Sequence, residues 1–270
     1  MSRDLGIEFI SVFGLPPADF VHLAADLGCR YISTALVGRP LKSLGYPAFS
    51  LKDDRALRRE LLAAMDERGV GISLGEGMVI TADTDVAGLA ADLDVMAELG
   101  AAQINTLSFD RDRNRTFDQL ATLAEMAAAR GIRTTVELAP GATIGDPATL
   151  LAAIEHVGSP GLRLTLDTMH WVRSGLGAAE LRELGPENIG YVQLSDTTLQ
   201  PRRESYLQEA MYERMAPGDG ELPLTEILAA VPVDVVVGLE IPMRSLAEAG
   251  VGPMDRLRPC VAAARQLGCR

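Results

Sequence analysis

The chain is short of aromatic residues, at 4%, and holds only 3 cysteines and 3 histidines among 270 residues. The cysteines are Cys29, Cys260 and Cys269, an odd and sparse set that excludes a disulfide framework. They fit a reducing compartment in which thiols serve as small apolar side chains. Positive charge is in deficit, with 25 Lys plus Arg against 37 Asp plus Glu and a net charge of −12. A surplus of acid excludes a general binder of nucleic acid or anionic membrane, because phosphate binding draws on Lys and Arg. No apolar run approaches the roughly 18 residues of a membrane span. The opening MSRDLGIEFISVFG lacks the charged, apolar and small-residue sequence of a secretory signal and reads as a first strand. Linkers, low-complexity tracts and a GxGxxG turn are also missing. These absences leave a soluble cytoplasmic protein with residues 1–270 as one domain, long enough to bury roughly three quarters of its unfolded surface.

What the chain does have is one pattern, repeated. A short β-rich run is followed by a loop and an amphipathic Ala/Leu-rich run. The β-rich runs are 6–14, 31–37, 71–78, 103–109, 133–138, 162–169, 189–196 and 233–241. Helices are expected at 16–27, 54–68, 85–99, 117–130, 147–156, 178–184 and 224–230, with a last one from Pro253. Gly69, Gly100 and Gly131 stand where helices should stop. Eight strand–helix units imply a parallel α/β fold, and the count of eight at this length favours a closed (β/α)8 TIM barrel over an open doubly wound sheet. An open sheet would carry a glycine-rich phosphate turn after an early strand. The first turn, FGLPPADF, has none, and LGEGM at 74–78 has the wrong spacing. Segments 38–53 and 197–222 are too long to be turns, and long loops in a compact domain are usually functional.

A barrel of this kind works at the C-terminal ends of its strands. There the fifth strand ends TTVELAP with Glu137, the sixth LTLDTMHW with Asp167 and His170, the seventh YVQLSD with Gln193 and Asp196, and the eighth VVVGLEIP with Glu240. Each sits in an apolar run. Any one of them alone has a structural explanation, as a helix cap or a partner for Arg. Together, three buried acids without a cation would repel one another strongly. A divalent metal resolves the repulsion, and the oxygen donors Glu137, Asp167, Gln193 and Glu240 suit Mg²⁺ or Mn²⁺. Co²⁺ and Zn²⁺ are further candidates. An α-hydroxy carbonyl compound can chelate such an ion, which makes the adjacent C–H more acidic. One carboxylate then removes the proton and another returns it. Glu137 and Glu240, from strands on either side of the metal, are the expected catalytic pair flanking a planar enediolate.

VELAP, LDTMHW, YVQLSD, APGDGELPLTEIL and VVVGLEIP, in this order, resemble the sugar isomerase/epimerase superfamily with the xylose isomerase-like barrel. The resemblance covers most of the chain and is sharpest over 133–242. It implies Glu137, Asp167, Gln193 and Glu240 as the metal ligands, with the two glutamates also moving protons. Ketose 3-epimerases carry His where this chain has Gln193. Gln there, followed by the P-G-x-G-E segment at 217–221, is more similar to hydroxypyruvate isomerase. The DxxH pattern implies that His170 lies near substrate oxygens. An Arg just ahead of P-G-x-G contacts substrate in the ketose epimerases, and Arg214 occupies that place. Arg202 and Arg203 are alternatives on the same loop.

Glu76, ending the third strand, is a candidate hydroxyl acceptor or a partner for Arg. The EAGVGPMDR stretch reads as a Gly-rich turn rather than a phosphate site. The expectation is therefore a metal-dependent isomerase or epimerase of a small polyhydroxy keto or aldehyde compound. The alternative is a lyase or dehydratase on a keto-polyol, dehydroshikimate-like or C-glycosyl substrate. An abasic-site endonuclease, on a related barrel, uses several metals and many His ligands, which this chain does not supply. Enzymes of the family generally form dimers or tetramers, so a homo-oligomer is expected.

Overall fold

A computed structural model describes residues 3–158 and 161–270; Met1 and Ser2 of the opening segment lie outside them. The strands are β1 Leu5–Ile7, β2 Tyr31–Ala35, β3 Val37–Gly38, β4 Phe49–Ser50, β5 Gly71–Ile80, β6 Gln103–Ser108, β7 Arg133–Glu137, β8 Leu162–Asp167, β9 Ile189–Leu194 and β10 Val237–Leu239. Eight of them close into a barrel in the order β1-β10-β9-β8-β7-β6-β5-β2, and β3 and β4 form a separate two-stranded sheet. Every barrel pair is parallel. The fold is the TIM barrel, and its fifth to eighth barrel strands are β7, β8, β9 and β10.

The helices are α1 Pro17–Asp26, α2 Arg55–Arg68, α3 Ala90–Glu98, α4 Arg113–Ala128, α5 Pro147–Val157, α6 Thr168–Arg173, α7 Ala178–Leu184, α8 Tyr206–Tyr212, α9 Leu224–Ala229, α10 Arg244–Glu248 and α11 Pro253–Gln266. Local chemistry sets their ends. Asp54 caps α2 by accepting from the backbone N–H groups of Ala56 and Leu57 at 2.9 and 3.0 Å, and Gly69 stops it in the left-handed conformation at φ 63°. Asp146 and Pro147 open α5 in the same spirit. Leucine, isoleucine and valine from both layers make one continuous core. Among the described residues no helix is long and apolar enough to cross a membrane.

Among the boundaries that differ from the sequence pattern, four bear on the site or its approach. The run 6–14 is not one strand, because the chain leaves the barrel after Ile7 and winds into a 3₁₀ turn at Phe9–Val12. Ser11 Oγ holds that turn by donating to the Leu239 carbonyl at 2.9 Å and accepting from Ile241 N–H at 2.8 Å. The helix expected from 117 starts earlier, where Asp112 caps α4 by accepting from Arg115 N–H at 3.1 Å. The run 162–169 ends at Asp167, whose Oδ1 accepts from Met169 and His170 N–H at 2.7 and 3.0 Å and starts α6 at once. The run 233–241 contributes only Val237–Leu239 to the sheet. Gly238 is obligatory there: a Cβ would lie 1.6 Å from Glu8 Oε1, a carboxyl buried in the barrel interior.

Candidate active site

The C-terminal ends of the strands surround a cavity of about 510 Å³ whose walls include Glu76, Asn105, Glu137, His170, Arg214 and Glu240. Asp167 and Gln193 are almost fully buried beside it, level with one another in the pairing of β8 with β9. A shallow depression of about 810 Å³ at Asp110–Arg115 meets this cavity at Phe109, and none of the acids of the strand-end cluster line it.

Glu137, Asp167 and His170 converge, with ligand atoms within 4.8 Å of one another. His170 Nε2 is 3.0 Å from Glu137 Oε1 and 3.7 Å from Asp167 Oδ2. Arg214 enters from the long loop, with Nη1 2.5 Å from Asp167 Oδ2 and 2.9 Å from Glu240 Oε2. Its side chain is 2% exposed, so it is not a solvated loop arginine. Burial alone would raise the Asp167 pKa, but the Arg214 charge, with His170 and backbone hydrogen bonds, more than offsets this and holds it low. Glu240 goes the other way. Burial and the negative charges of Asp167 and Glu137 raise it well above the ordinary carboxylate range despite Arg214.

The donors fit a divalent cation. Glu240 Oε2 has Arg214 as a charge neighbour but no directed hydrogen bond, and both amide atoms of Gln193 are buried without any hydrogen-bond partner. Buried polar atoms are rarely left so unless another ligand or water completes them. Carboxylate, amide and imidazole donors in one cluster suit Mg²⁺, Mn²⁺, Co²⁺ or Zn²⁺. The structure thus groups Glu137, Asp167 and Glu240 as the strand-end pattern implies and adds His170 to the same cluster. Gln193 lies beside them, paired in register with Asp167.

Glu76 does not pair with an arginine. Its Oε1 accepts from Ser33 Oγ at 2.5 Å. Beside it is Glu8, whose Oε1 accepts from Tyr191 OH at 2.6 Å, while Ser73 Oγ lies 2.9 Å from the same hydroxyl. Burial raises both carboxyl groups, and their mutual repulsion adds to the rise at Glu76. Both carboxyls thus hold a proton more readily than an ordinary carboxyl does.

Several contributors escape the sequence pattern. Asn105 Nδ2 donates to Glu137 Oε2 at 3.1 Å and orients the carboxylate. Tyr206, on α8 within the 197–222 loop, hydrogen-bonds His170 Nδ1. Burial and the nearby Asp167 charge keep its phenol protonated, so it can donate to the imidazole. Glu209 of the same helix is fully buried and anchors the loop through Arg173 Nη2 at 3.0 Å and Arg202 N–H at 3.0 Å. Asp196, noted only as a strand-end acid, organises the P-G-x-G-E turn. Its carboxylate accepts from the N–H groups of Thr197, Gly218, Gly220 and Leu222 at 2.8–3.1 Å. A Cβ on Gly220 would come within 2.3 Å of Asp196 Oδ1, which accounts for the second glycine. The turn in turn fixes the segment that carries Arg214.

Residues 21–270 match the xylose isomerase-like TIM barrel family. Among solved structures the chain is similar to an IolI protein with a bound zinc atom, at 16% identity and TM-score 0.76, covering 99% of this chain and 96% of that one. It is similar to a D-allulose 3-epimerase from Methylomonas sp., at 17% identity and TM-score 0.72, covering 99% of both chains. It is also similar to a probable 3-DHS dehydratase, AsbF, from Bacillus anthracis, at 16% identity and TM-score 0.73, covering 97% and 98%. The chain spans 42% of the length of a xylose isomerase-like TIM barrel/4-hydroxyphenylpyruvate dioxygenase fusion protein, at 19% identity, TM-score 0.76 and 98% of this chain. No curated protein matches its sequence. At these identities the structural matches speak for the fold.

Proposed function

The chain belongs to the xylose isomerase-like TIM barrel family, and from that premise we propose that it is a divalent-metal-dependent isomerase or epimerase of a small polyhydroxy keto or aldehyde compound. The observation that carries this is the convergence of Glu137, Asp167 and His170, with Glu240 tied to the same cluster through Arg214. Asp167, Glu137, Glu240 and either Gln193 or His170 would hold the ion. A divalent ion there supplies Lewis acidity toward a carbonyl and its neighbouring hydroxyl.

The protein's own groups do the rest. Glu137 is oriented by Asn105 and His170 and takes the proton from the carbon next to the carbonyl. Glu240, on the wall formed by the eighth barrel strand, returns a proton to the enediolate at the neighbouring carbon or the opposite face. His170 and Arg214 both line the cavity, where they can donate to substrate oxygens, Arg214 with the fork geometry of a guanidinium. A small-molecule partner, a cytoplasmic location and a homo-oligomer, dimer or tetramer, belong to the same proposal. Sedimentation as a clean monomer at micromolar concentration would contradict the last.

One observation favours the lyase or dehydratase alternative. Glu76 lines the cavity, and burial with Glu8 beside it raises its pKa. A protonated carboxyl is the group that a departing hydroxyl needs. The test is a panel of keto sugars, keto acids and inososes with Mn²⁺ in D₂O, followed by NMR. Solvent deuterium at the carbon beside the carbonyl, with the carbon skeleton and hydroxyl count kept, is the expected result. Loss of a hydroxyl would select the dehydratase. Product without deuterium would overturn the route through two carboxyl groups.

A further inference from the structure

The cavity is chemically divided. Its acids, amide, imidazole and guanidinium all belong to Glu76, Asn105, Glu137, His170, Arg214 and Glu240, the inner part. Apart from the hydroxyls of Thr106, Ser205 and Tyr206, the rest of the side-chain lining is carbon, including Met78, Val79, Leu107 and Phe109 from the ends of β5 and β6 and Leu207 and Met211 from α8. The apolar part is not sealed in the core. Val79 is 42% exposed, Phe109 48%, Leu207 63% and Met211 38%. Nine large apolar side chains are this exposed among the described residues, and these four line one cavity.

Such a concentration of exposed carbon marks a binding surface, where single scattered residues would not. A simple polyol would find few partners there. Its outer hydroxyls would be desolvated against methyl, thioether and phenyl groups, at a cost that no hydrogen bond returns. The surface is also continuous with the acid cluster, so whatever fills it reaches the inner groups at the same time.

We propose that the substrate carries an apolar group, of the size of an aromatic ring or short alkyl chain, on the side of the hydroxy-carbonyl unit away from the acid cluster. The inner groups read the oxygenated head, and Phe109, Val79, Leu207 and Met211 bind the tail. The proposal rests on the function proposed above for the head, and adds the class of molecule to which that head is attached. α8 has a double part in it. Tyr206 holds His170, and one turn of the same helix presents Leu207 and Met211 to the tail.

Three probes separate the two ideas, with affinities measured by calorimetry on the Mn²⁺-loaded full chain. They are hydroxyacetone, 1-hydroxy-4-phenylbutan-2-one, which adds the tail, and 4-phenylbutan-2-one, which keeps the tail and loses the hydroxyl. The tailed hydroxyketone should bind roughly 10- to 100-fold more tightly than hydroxyacetone, the usual return for burying a phenyl-sized group. That ratio should fall to within about threefold of unity in Leu207→Ser/Met211→Ser, and be cut strongly in Phe109→Ser should the double variant not fold. Equal affinity of hydroxyacetone and its tailed analogue in the wild type overturns the tail proposal while leaving the head intact. Equal affinity of the two phenyl compounds leaves the tail intact and contradicts the chelating head. Absence of binding by all three overturns both. A wild-type oligomer that Leu207→Ser/Met211→Ser splits into monomers, with no gain from the tail, assigns the carbon surface to a second copy of this chain and overturns the proposal.

Discussion

Glu137, Asp167 and Glu240 meet a guanidinium and an imidazole, whereas Glu8 and Glu76, also inside the barrel, meet a phenol and a serine hydroxyl. Both groups of acids face the same difficulty, since an isolated buried carboxylate costs several kcal/mol. In the first group the Arg214 charge holds Asp167 low, while Glu240, beside the same guanidinium, stays raised, with no further cationic side chain paired to it among the described residues. The second has no cation beside it, so burial raises the pKa values of Glu8 and Glu76 and favours their protonated form. The difference separates a set of acids built to hold a cation from a pair built into the barrel as neutral hydrogen-bonding groups. Gln193, whose strand neighbour in register is Asp167 and which also lowers the Glu8 pKa, stands at the border between them.

The comparison can be broken most sharply at the two glutamates of the cation group. In Glu137→Gln and Glu240→Gln the metal should remain at least partly bound while turnover falls roughly 10²–10⁴-fold, the usual share of general acid–base catalysis. If each serves one face of the substrate, one variant should still exchange substrate hydrogen with D₂O without forming product. Near-normal turnover in both, with metal fully bound, would remove them as proton carriers and pass the task to His170 or Glu76.

The next effect is on stability. Arg214→Met removes the cation between Asp167 and Glu240, and breaking a buried pair costs about 3–5 kcal/mol. Urea unfolding in chelator should show that loss, and Mn²⁺ should restore part of it by binding only the folded state. Equal loss with and without Mn²⁺ would mean that Arg214 and the metal do not share a site.

The smallest effect belongs to the proton-holding pair. A carboxyl whose folded pKa is raised contributes stability that is fully present below its unfolded value, near 4.5, and lost as pH rises through the folded value. Wild-type stability in chelator should therefore fall between pH 5 and 8 by an amount that Glu8→Gln removes. At pH 5 the variant should lie within about 1 kcal/mol of wild type, because an amide can accept from Tyr191 as the acid does. A wild-type slope that survives unchanged in Glu8→Gln would show that this pair is not its source.

Much of this architecture was legible in the sequence because barrels repeat. Gly69 and Gly131 do end turns at positive φ after α2 and α4, and the strand-end acids sit at one rim because parallel strands all run the same way. What was not legible depends on contacts between distant segments. Glu8 reads as one polar residue in an apolar run, and only closure of the barrel brings it to Glu76 and Tyr191. Asn105 carries no sign of its partner 32 residues away. α8 is a seven-residue helix inside a polar loop, too short for periodicity to show, and it depends on Glu209 reaching Arg173. Asp167 was read for the metal or for a cap, and it does both, Oδ1 on the helix and Oδ2 on the charges.

The central claim is that these strand ends form a cation site, and calorimetric titration of Mn²⁺ into chelator-stripped wild type and Asp167→Ala tests it most directly. The account predicts one equivalent bound per chain in the wild type, and an affinity lower by at least about 100-fold in the variant, since even outer-shell changes cost 10–100-fold. The same stoichiometry and affinity in both proteins would contradict it.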